Sequence, residues 1–303
     1  MDISGEREIP APEEIAASCE ANLPADGKQT EIAFFGGSFT AIPEEQMVRY
    51  LEAAYPFVQK GRAAGIRLST RPDAIDMEII GILRSYGVTA VELGAQSMDD
   101  HVLLLNGRGH DSDAVRKASR MIRESGLSLG LQMMIGMYGT EDPIQDALST
   151  ADSFIGMQPD TVRIYPTLVV DNTPLAELFR RGKYRPLDLE EAVSVCAELI
   201  ERFRRNSIRV IRVGLHAEES LQRELLGGPF HPAFGELCES RIFRNEIERE
   251  IDGRQSAVIY CNPALLSQIK GQKKSNQIYF AEKGVRLEIV PDPSTTRIRI
   301  EGP

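Results

Sequence analysis

A pair of glycines closes an apolar run in Phe34-Phe35-Gly36-Gly37-Ser38-Phe39-Thr40. Adjacent glycines at the end of a strand let a ligand come close to the main chain, whose N–H and C=O groups remain available to bind it. The segment is not G-x-G-x-x-G. Nor is it a phosphate loop, which needs a Lys-Ser or Lys-Thr pair that is absent here. Other polar or glycine clusters follow apolar runs in the same way: Thr70-Arg71-Pro72-Asp73, Gln96-Ser97, Gly136 and Thr167. Arg71 and Asp73 read as a pair that fixes a loop, His110 as a structural hydrogen bonder, and Met133-Met134 as core. The four cysteines, Cys19, Cys196, Cys238 and Cys261, are widely separated, the nearest two lying 23 residues apart. That spacing matches neither a zinc site nor a disulfide framework. Cys196 shares an apolar helical face with Ala192, Leu199 and Phe203 and is expected to be buried.

Strands alternating with helices must position these clusters. Apolar runs at residues 31–35, 66–69, 90–93, 129–135 and 161–166 read as strands. Each is followed by a helical pattern. The first, near Pro43–Lys60, carries Pro43 and two glutamates in its opening turn and Met47, Leu51, Ala54 and Val58 on one face. The next is capped by Asp76 and stops at Gly87. Further helices are expected at Asp111–Ser125 and Pro143–Met157, and one opens with the capping-box pattern Asp188-Leu189-Glu190-Glu191. A sixth strand is plausible at Ile208–Val213.

Repeated βα units imply a parallel sheet, either closed into a barrel or doubly wound. Special residues after every strand, rather than at one switch point, favour the barrel, whose active site belongs on the rim at the strand ends. The rhythm breaks after about residue 217. A turn at Gly227-Gly228-Pro229, a helix (Gly235–Ile251), a strand (Ala257–Tyr260) and a terminal hairpin (Arg286–Val290 with Thr296–Ile300) suggest a small α+β appendage. The expected organisation is therefore a barrel over residues 1–216 and an appendage over 217–303.

The bulk figures agree with a globular chain. Hydrophobic residues make up 42% and charged residues 26%, which excludes wholesale disorder. No apolar run approaches the ~20 residues needed to span a bilayer. The opening Met1-Asp2-Ile3-Ser4-Gly5-Glu6 lacks the basic and apolar parts of a signal peptide, so the expected location is cytoplasmic, with no membrane partner. A net charge of −10 argues against general nucleic-acid affinity, though not against a local basic patch.

Five ordered segments carry a resemblance: Leu68–Asp73, Val91–Ser97, Arg108-Gly109-His110, Gln132–Gly136 and Arg163–Val169. With the glycine pair, they resemble the radical S-adenosylmethionine (SAM) domain of the Elongator catalytic subunit and its relatives. Oxygen-independent coproporphyrinogen III oxidase is a more distant likeness. The resemblance covers residues 31–216. It implies a partial (β/α)6 TIM-like barrel, SAM and a [4Fe–4S] cluster as cofactors, an electron donor for the cluster, and cleavage of SAM to a 5′-deoxyadenosyl radical.

Carried over by motif, Gly36 and Gly37 would set backbone against the SAM amino group, and Ser69 would meet its methionine or ribose part. Gln96 and Gln132 would contact the ribose, Arg108 the carboxylate, and Tyr165 would lie beneath the adenine region. The plainer readings are a rim hydrogen bond for Gln96 and an ion pair of Arg108 with Asp99 or Asp111. Gly107 replaces the usual Asn before the arginine, and Met137-Tyr138-Gly139 replaces Leu-Pro-Gly.

The family's CxxxCxxC motif, which would follow its first strand, does not occur. Only Cys19 precedes Gly36, and one thiolate cannot hold such a cluster. The helix that should follow the motif is present at Pro12–Asn22. The expectation is a missing first strand, an N-terminally incomplete copy of an enzyme and a chain inactive by itself. The alternative is a non-catalytic barrel that binds SAM or a partner. The relatives suggest tRNA as substrate, but the appendage is too short for their acetyltransferase domain. Two basic stretches are candidate RNA contacts: Arg204, Arg205, Arg209 and Arg212, and Lys270, Lys273 and Lys274. The arginines are also read as anchoring carboxylates in the barrel, and the lysines as a solvated turn.

Overall fold

The computed structural model describes residues 10–27, 29–215 and 219–302. The chain runs α1 (Pro12–Asn22), β1 (Glu31–Phe34), α2 (Glu44–Gln59), β2 (Gly65–Thr70), α3 (Met77–Ser85), β3 (Val88–Gln96), α4 (Asp100–Leu105), α5 (Ser112–Glu124), β4 (Ser128–Ile135) and α6 (Pro143–Met157). It continues with β5 (Thr161–Pro166), β6 (Val169–Val170), α7 (Pro174–Arg180), α8 (Leu189–Arg205), β7 (Arg209–Val213), α9 (Glu219–Glu224), β8 (Leu225–Gly227) and α10 (Phe234–Ile251). The last elements are β9 (Ser256–Cys261), α11 (Leu266–Lys270), α12 (Ser275–Glu282), β10 (Arg286–Pro291) and β11 (Ile298–Glu301).

Six strands form one parallel sheet in the order β1-β2-β3-β4-β5-β7. It is a curled half-barrel with helices outside, as the βα rhythm predicts. Aspartates start five of the helices, Asp99 accepting two backbone N–H groups of α4 at 2.8 and 3.1 Å. The side chains of Asp76, Asp111 and Asp188 each accept from a backbone N–H at 2.8 Å, and Asp142 accepts two at 3.0 Å. Each cap satisfies donors that the first helical turn leaves free, worth ~1 kcal/mol apiece.

Alternation along the strands divides the sheet into two faces. Ile66 and Leu68, Leu131 and Met133, and Val162 and Ile164 are buried against the helices in one core. Arg67 and Ser69, Gln132 and Met134, and Arg163 and Tyr165 are only partly covered and line the concave side. Met134 was expected in the core beside Met133. The period of two sends these neighbours to opposite faces, and side-chain apolarity does not override it.

The expected boundary between residues 216 and 217 lies outside the described residues. Beyond it, α10 serves two cores. Phe234, Cys238 and Ile242 pack with the barrel core, while Phe243, Ile247 and Ile251 pack with Ile259, Cys261, Ile269 and Phe280 of a small lobe. The expected terminal hairpin does not form. In the lobe sheet the order is β10-β9-β11, with β10 parallel and β11 antiparallel to β9. The apolar β9, with Ala257, Ile259 and Cys261 buried, takes the centre. Its two neighbours, richer in charge, occupy the edges.

Candidate functional site

The concave face has two tiers. In the lower one, Glu92 is nearly buried between two arginines. Arg163 Nε donates to Glu92 Oε2 at 2.6 Å, and Arg67 reaches both Glu92 at 3.2 Å and Glu31 at 2.9 Å. The Arg163 guanidinium also lies over the ring of Phe35, 4.8 Å from its centroid. Gly130 makes room for this ladder, because a Cβ there would stand 2.6 Å from Glu92 Cγ. Four residues from four strands thus close the bottom of the barrel, each charge matched.

The upper tier lies at the strand ends. Ser69 Oγ donates to the Gly37 carbonyl at 3.2 Å, tying β2 to the glycine turn. Gly36 has φ 103°, where a side chain would be strained, and the space above Gly37 is open for 4 Å around a hypothetical Cβ. Gln132 Nε2 donates to Gln96 Oε1 at 3.3 Å. Tyr165 links the tiers, its hydroxyl accepting from Arg163 at 3.5 Å. Four of the expected residues therefore join in pairs, Ser69 to Gly37 and Gln132 to Gln96, and Gly36 is the chain neighbour of Gly37.

Arg108 reaches this tier from the loop after α4. Its nearest polar contact is Met134 Sδ, 3.0 Å from one terminal nitrogen, and its buried Nε has no partner. Burial pushes the guanidinium pKa down. The ion pair with Asp99 or Asp111 does not form, because those carboxylates cap α4 and α5 instead. His110 Nε2 lies 3.2 Å from the Ala95 carbonyl while its buried Nδ1 has no partner, and Arg71 forms a two-pronged pair with Asp73, as expected of a loop-fixing pair.

Gln96 stands in the left-handed region at φ 69°, which costs a non-glycine residue about 1 kcal/mol. The next turn is clamped from α6. Ser97 Oγ donates to Asp146 Oδ1 at 3.0 Å, and the Met98 N–H donates to Thr150 Oγ1 at 3.0 Å. Burial pushes the Asp146 pKa up to about 6; the Ser97 hydrogen bond opposes this and the Asp99 charge adds to it. Sequence reasoning missed this clamp and the ladder of Glu31, Arg67, Glu92 and Arg163. The available signal was a charged residue within four of the apolar strands, Glu31 in β1, Arg67 in β2, Glu92 in β3 and Arg163 in β5.

The basic stretches are placed differently from expectation. Arg204 pairs with Glu239 and Arg205 with Glu201, so these carboxylates lie on outer helices and not within the barrel. Arg212 donates to the Gly214 carbonyl at 3.0 Å. Lys270, Lys273 and Lys274 border a cleft between α10 and α11.

This fold and rim define a class. The sequence pattern of the radical SAM superfamily matches residues 3–151, and that of the radical SAM C-terminal domain matches residues 159–244. The chain belongs to the radical SAM superfamily, a family of enzymes that implies SAM and a [4Fe–4S] cluster.

Its relatives place it in the Elongator-like branch. It is 35% identical over 140 residues to a tRNA uridine(34) acetyltransferase of Methanocaldococcus infernus, covering 45% of this chain and 26% of the relative. It is 30% identical over 194 residues to human Elongator complex protein 3, covering 57% and 35%. The chain thus spans about a quarter to a third of these relatives. The solved archaeal Methanocaldococcus infernus Elp3, with an N-terminal deletion, superposes with a TM-score of 0.64 at 27% identity, covering 79% of this chain and 58% of that one.

The residues present fit the two cofactors unequally. An unpartnered buried guanidinium nitrogen, a paired amide couple and an open glycine turn suit a zwitterionic nucleoside such as SAM. The thiols do not suit the cluster. Cys19 lies alone in α1, Cys196 and Cys238 face each other between α8 and α10, and Cys261 is in the lobe core. Burial pushes the Cys196 thiol well above its usual range. Among the described residues, no three His, Cys, Asp or Glu side chains converge as a metal site would require.

Proposed function

We propose that this chain is the SAM-binding barrel of an Elongator-like radical SAM protein that serves tRNA modification. The observation that carries the reading is Arg108. A half-buried guanidinium whose Nε lacks a partner is costly unless an anion completes it, and the SAM carboxylate is an anion of the right geometry. Around it, Gly36 and Gly37 offer backbone to the amino group, while Ser69 meets the methionine or ribose part. Gln96 and Gln132 take the ribose hydroxyls, and Tyr165 lies under the adenine.

Equilibrium dialysis with radiolabelled SAM tests this. Wild-type chain is expected to bind, and Arg108→Met to bind at least ~10-fold more weakly, the loss of one charge-assisted pair. Absence of SAM binding to the wild type, or equal binding by the variant, overturns the assignment.

The second part of the proposal concerns chemistry. With its four thiols scattered, the chain as given does not assemble a [4Fe–4S] cluster, and by itself it is a binding barrel without radical activity. Anaerobic reconstitution with iron and sulfide is expected to leave no stable cluster absorbance; a robust cluster spectrum would sink this part. An electron donor belongs only to a form that carries the cluster. The tRNA assignment draws on the relatives' names, and a cytoplasmic site of action accompanies it. Among the described residues no helix is long and apolar enough to cross a membrane.

A further inference from the structure

The outer wall of the barrel carries a feature that the SAM-facing rim does not explain. Helix α5 sets Arg116, Arg120 and Arg123 along one side, spaced four and three residues apart, so the row spans about 10 Å. All three are exposed, and none is in an ion pair among the described residues. This contrasts with α7, α8 and α10, whose Arg180, Arg202, Arg204 and Arg241 each meet a carboxylate. The row borders a cleft of about 650 Å³ whose far wall is α6, at Ser153, Gly156 and Met157, with Glu124 at one end.

Two further observations point to a ligand. Ser119, at the base of the cleft, is 2% exposed, yet its Oγ has no hydrogen-bond partner. A buried hydroxyl normally finds one. On the other side Gly156 leaves open space where a side chain would project. Arg123 is held at the mouth, one terminal nitrogen donating to the Met157 carbonyl at 2.9 Å and to Gln158 Oε1 at 3.2 Å. A hydroxyl at the floor with guanidinium groups above it is donor chemistry for phosphate oxygens.

We infer that the groove between α5 and α6 binds the ribose-phosphate backbone of an RNA. The row is longer than one phosphate and fits successive ones, which favours a polyanion over a single small ion. Because the helices run opposite to the strands, Arg123 and Met157 lie at the end of the barrel away from Arg108. An RNA that engages both regions must reach about 20 Å along the wall, as a folded RNA can and a small metabolite cannot. In a chain of net charge −10, the groove concentrates positive potential where the backbone would lie. The inference rests on the RNA-directed reading above.

The test is fluorescence anisotropy with a labelled, unmodified tRNA transcript between about 50 and 200 mM salt. Arg116→Gln/Arg120→Gln is expected to weaken binding at least ~10-fold and to flatten the log–log salt slope by about 1.5–2. SAM binding and melting temperature should not change. Ser119→Ala should weaken RNA binding about 2–3-fold while the melting temperature holds or rises, because an unpartnered hydroxyl is removed. A lower melting temperature with unchanged RNA affinity would instead make Ser119 structural and count against the site. If tRNA binds wild type and double variant alike, the groove assignment falls while the RNA-directed reading stands. If wild type binds no tRNA, both fall. If inorganic phosphate binds in an Arg116- and Arg120-dependent way and tRNA does not, the occupant is a small anion and the inference is overturned.

Discussion

The lower and upper tiers of the concave face are a few ångströms apart, built from the same strands, and electrostatically opposite. Below, Glu92 is shared between Arg67 and Arg163, and Arg67 has Glu31 in reserve. Above, Arg108 has a thioether and an unpartnered Nε, and Gln96 is held in a left-handed conformation. A completed network spends its interactions on the fold. An incomplete one stores them for a ligand, and the strain at Gln96 belongs with it. On the proposed reading, the difference separates residues that shape the barrel from residues that would meet SAM.

Substitutions can break that contrast. The largest effect is expected for Glu92→Ala, which leaves the partly buried Arg163 without a carboxylate and Arg67 with Glu31 alone, and should cost about 3 kcal/mol, read by urea unfolding. A cost below ~1 kcal/mol would show that the ladder does not hold the barrel floor.

Asp146 sharpens the contrast through pH. Its folded pKa is raised, so the native state binds the proton more tightly than the unfolded chain. The protonated form therefore favours folding below about pH 4, and that contribution is lost as pH rises towards about 6. The penalty above that range is at most about 3 kcal/mol. Asp146→Asn, which can still accept from Ser97, should be more stable than wild type at pH 7 and flat across this window; an unchanged pH–stability curve would refute the assignment.

Arg108→Met, besides weakening SAM binding, should leave stability within about 0.5 kcal/mol of wild type or raise it, the opposite of Glu92→Ala. A loss as large as that of Glu92→Ala would place Arg108 with the structural tier. The smallest effect belongs to Gln96→Gly. Release of the left-handed strain should offset the added chain entropy to within about 0.5 kcal/mol, while SAM affinity falls. A stability loss above ~1 kcal/mol would mean that the Gln132–Gln96 bond is structural.

Much of the barrel is legible in local pattern. Thr161–Pro166 and Pro143–Met157 have the bounds expected of them, and the caps at Asp76, Asp111 and Asp188 lie where side-chain chemistry demands. The failures are non-local. Nothing near Arg286 or Thr296 announces that β9 will lie between them, because the pairing is decided by which strand buries more apolar surface. Met134 was assigned by residue type when its position in the alternation governs. The charges of the ladder stand out in their strands, but their pairing does not, because hydrogen-bonded partners lie 25 to 71 residues apart. The unpartnered state of Arg108 is a property of its surroundings, and no motif encodes it.

Helix α10 gives the molecule a seam that cannot be cut cleanly. Its first half supplies Phe234, Cys238 and Ile242 to one core and its second half Phe243, Ile247 and Ile251 to the other. Removing the lobe by ending the chain before α10 would uncover the barrel, and ending it after α10 would leave a greasy stub in water. Heat should accordingly melt both parts in one step, and a graft that replaces the lobe must inherit this helix along with the barrel it seals.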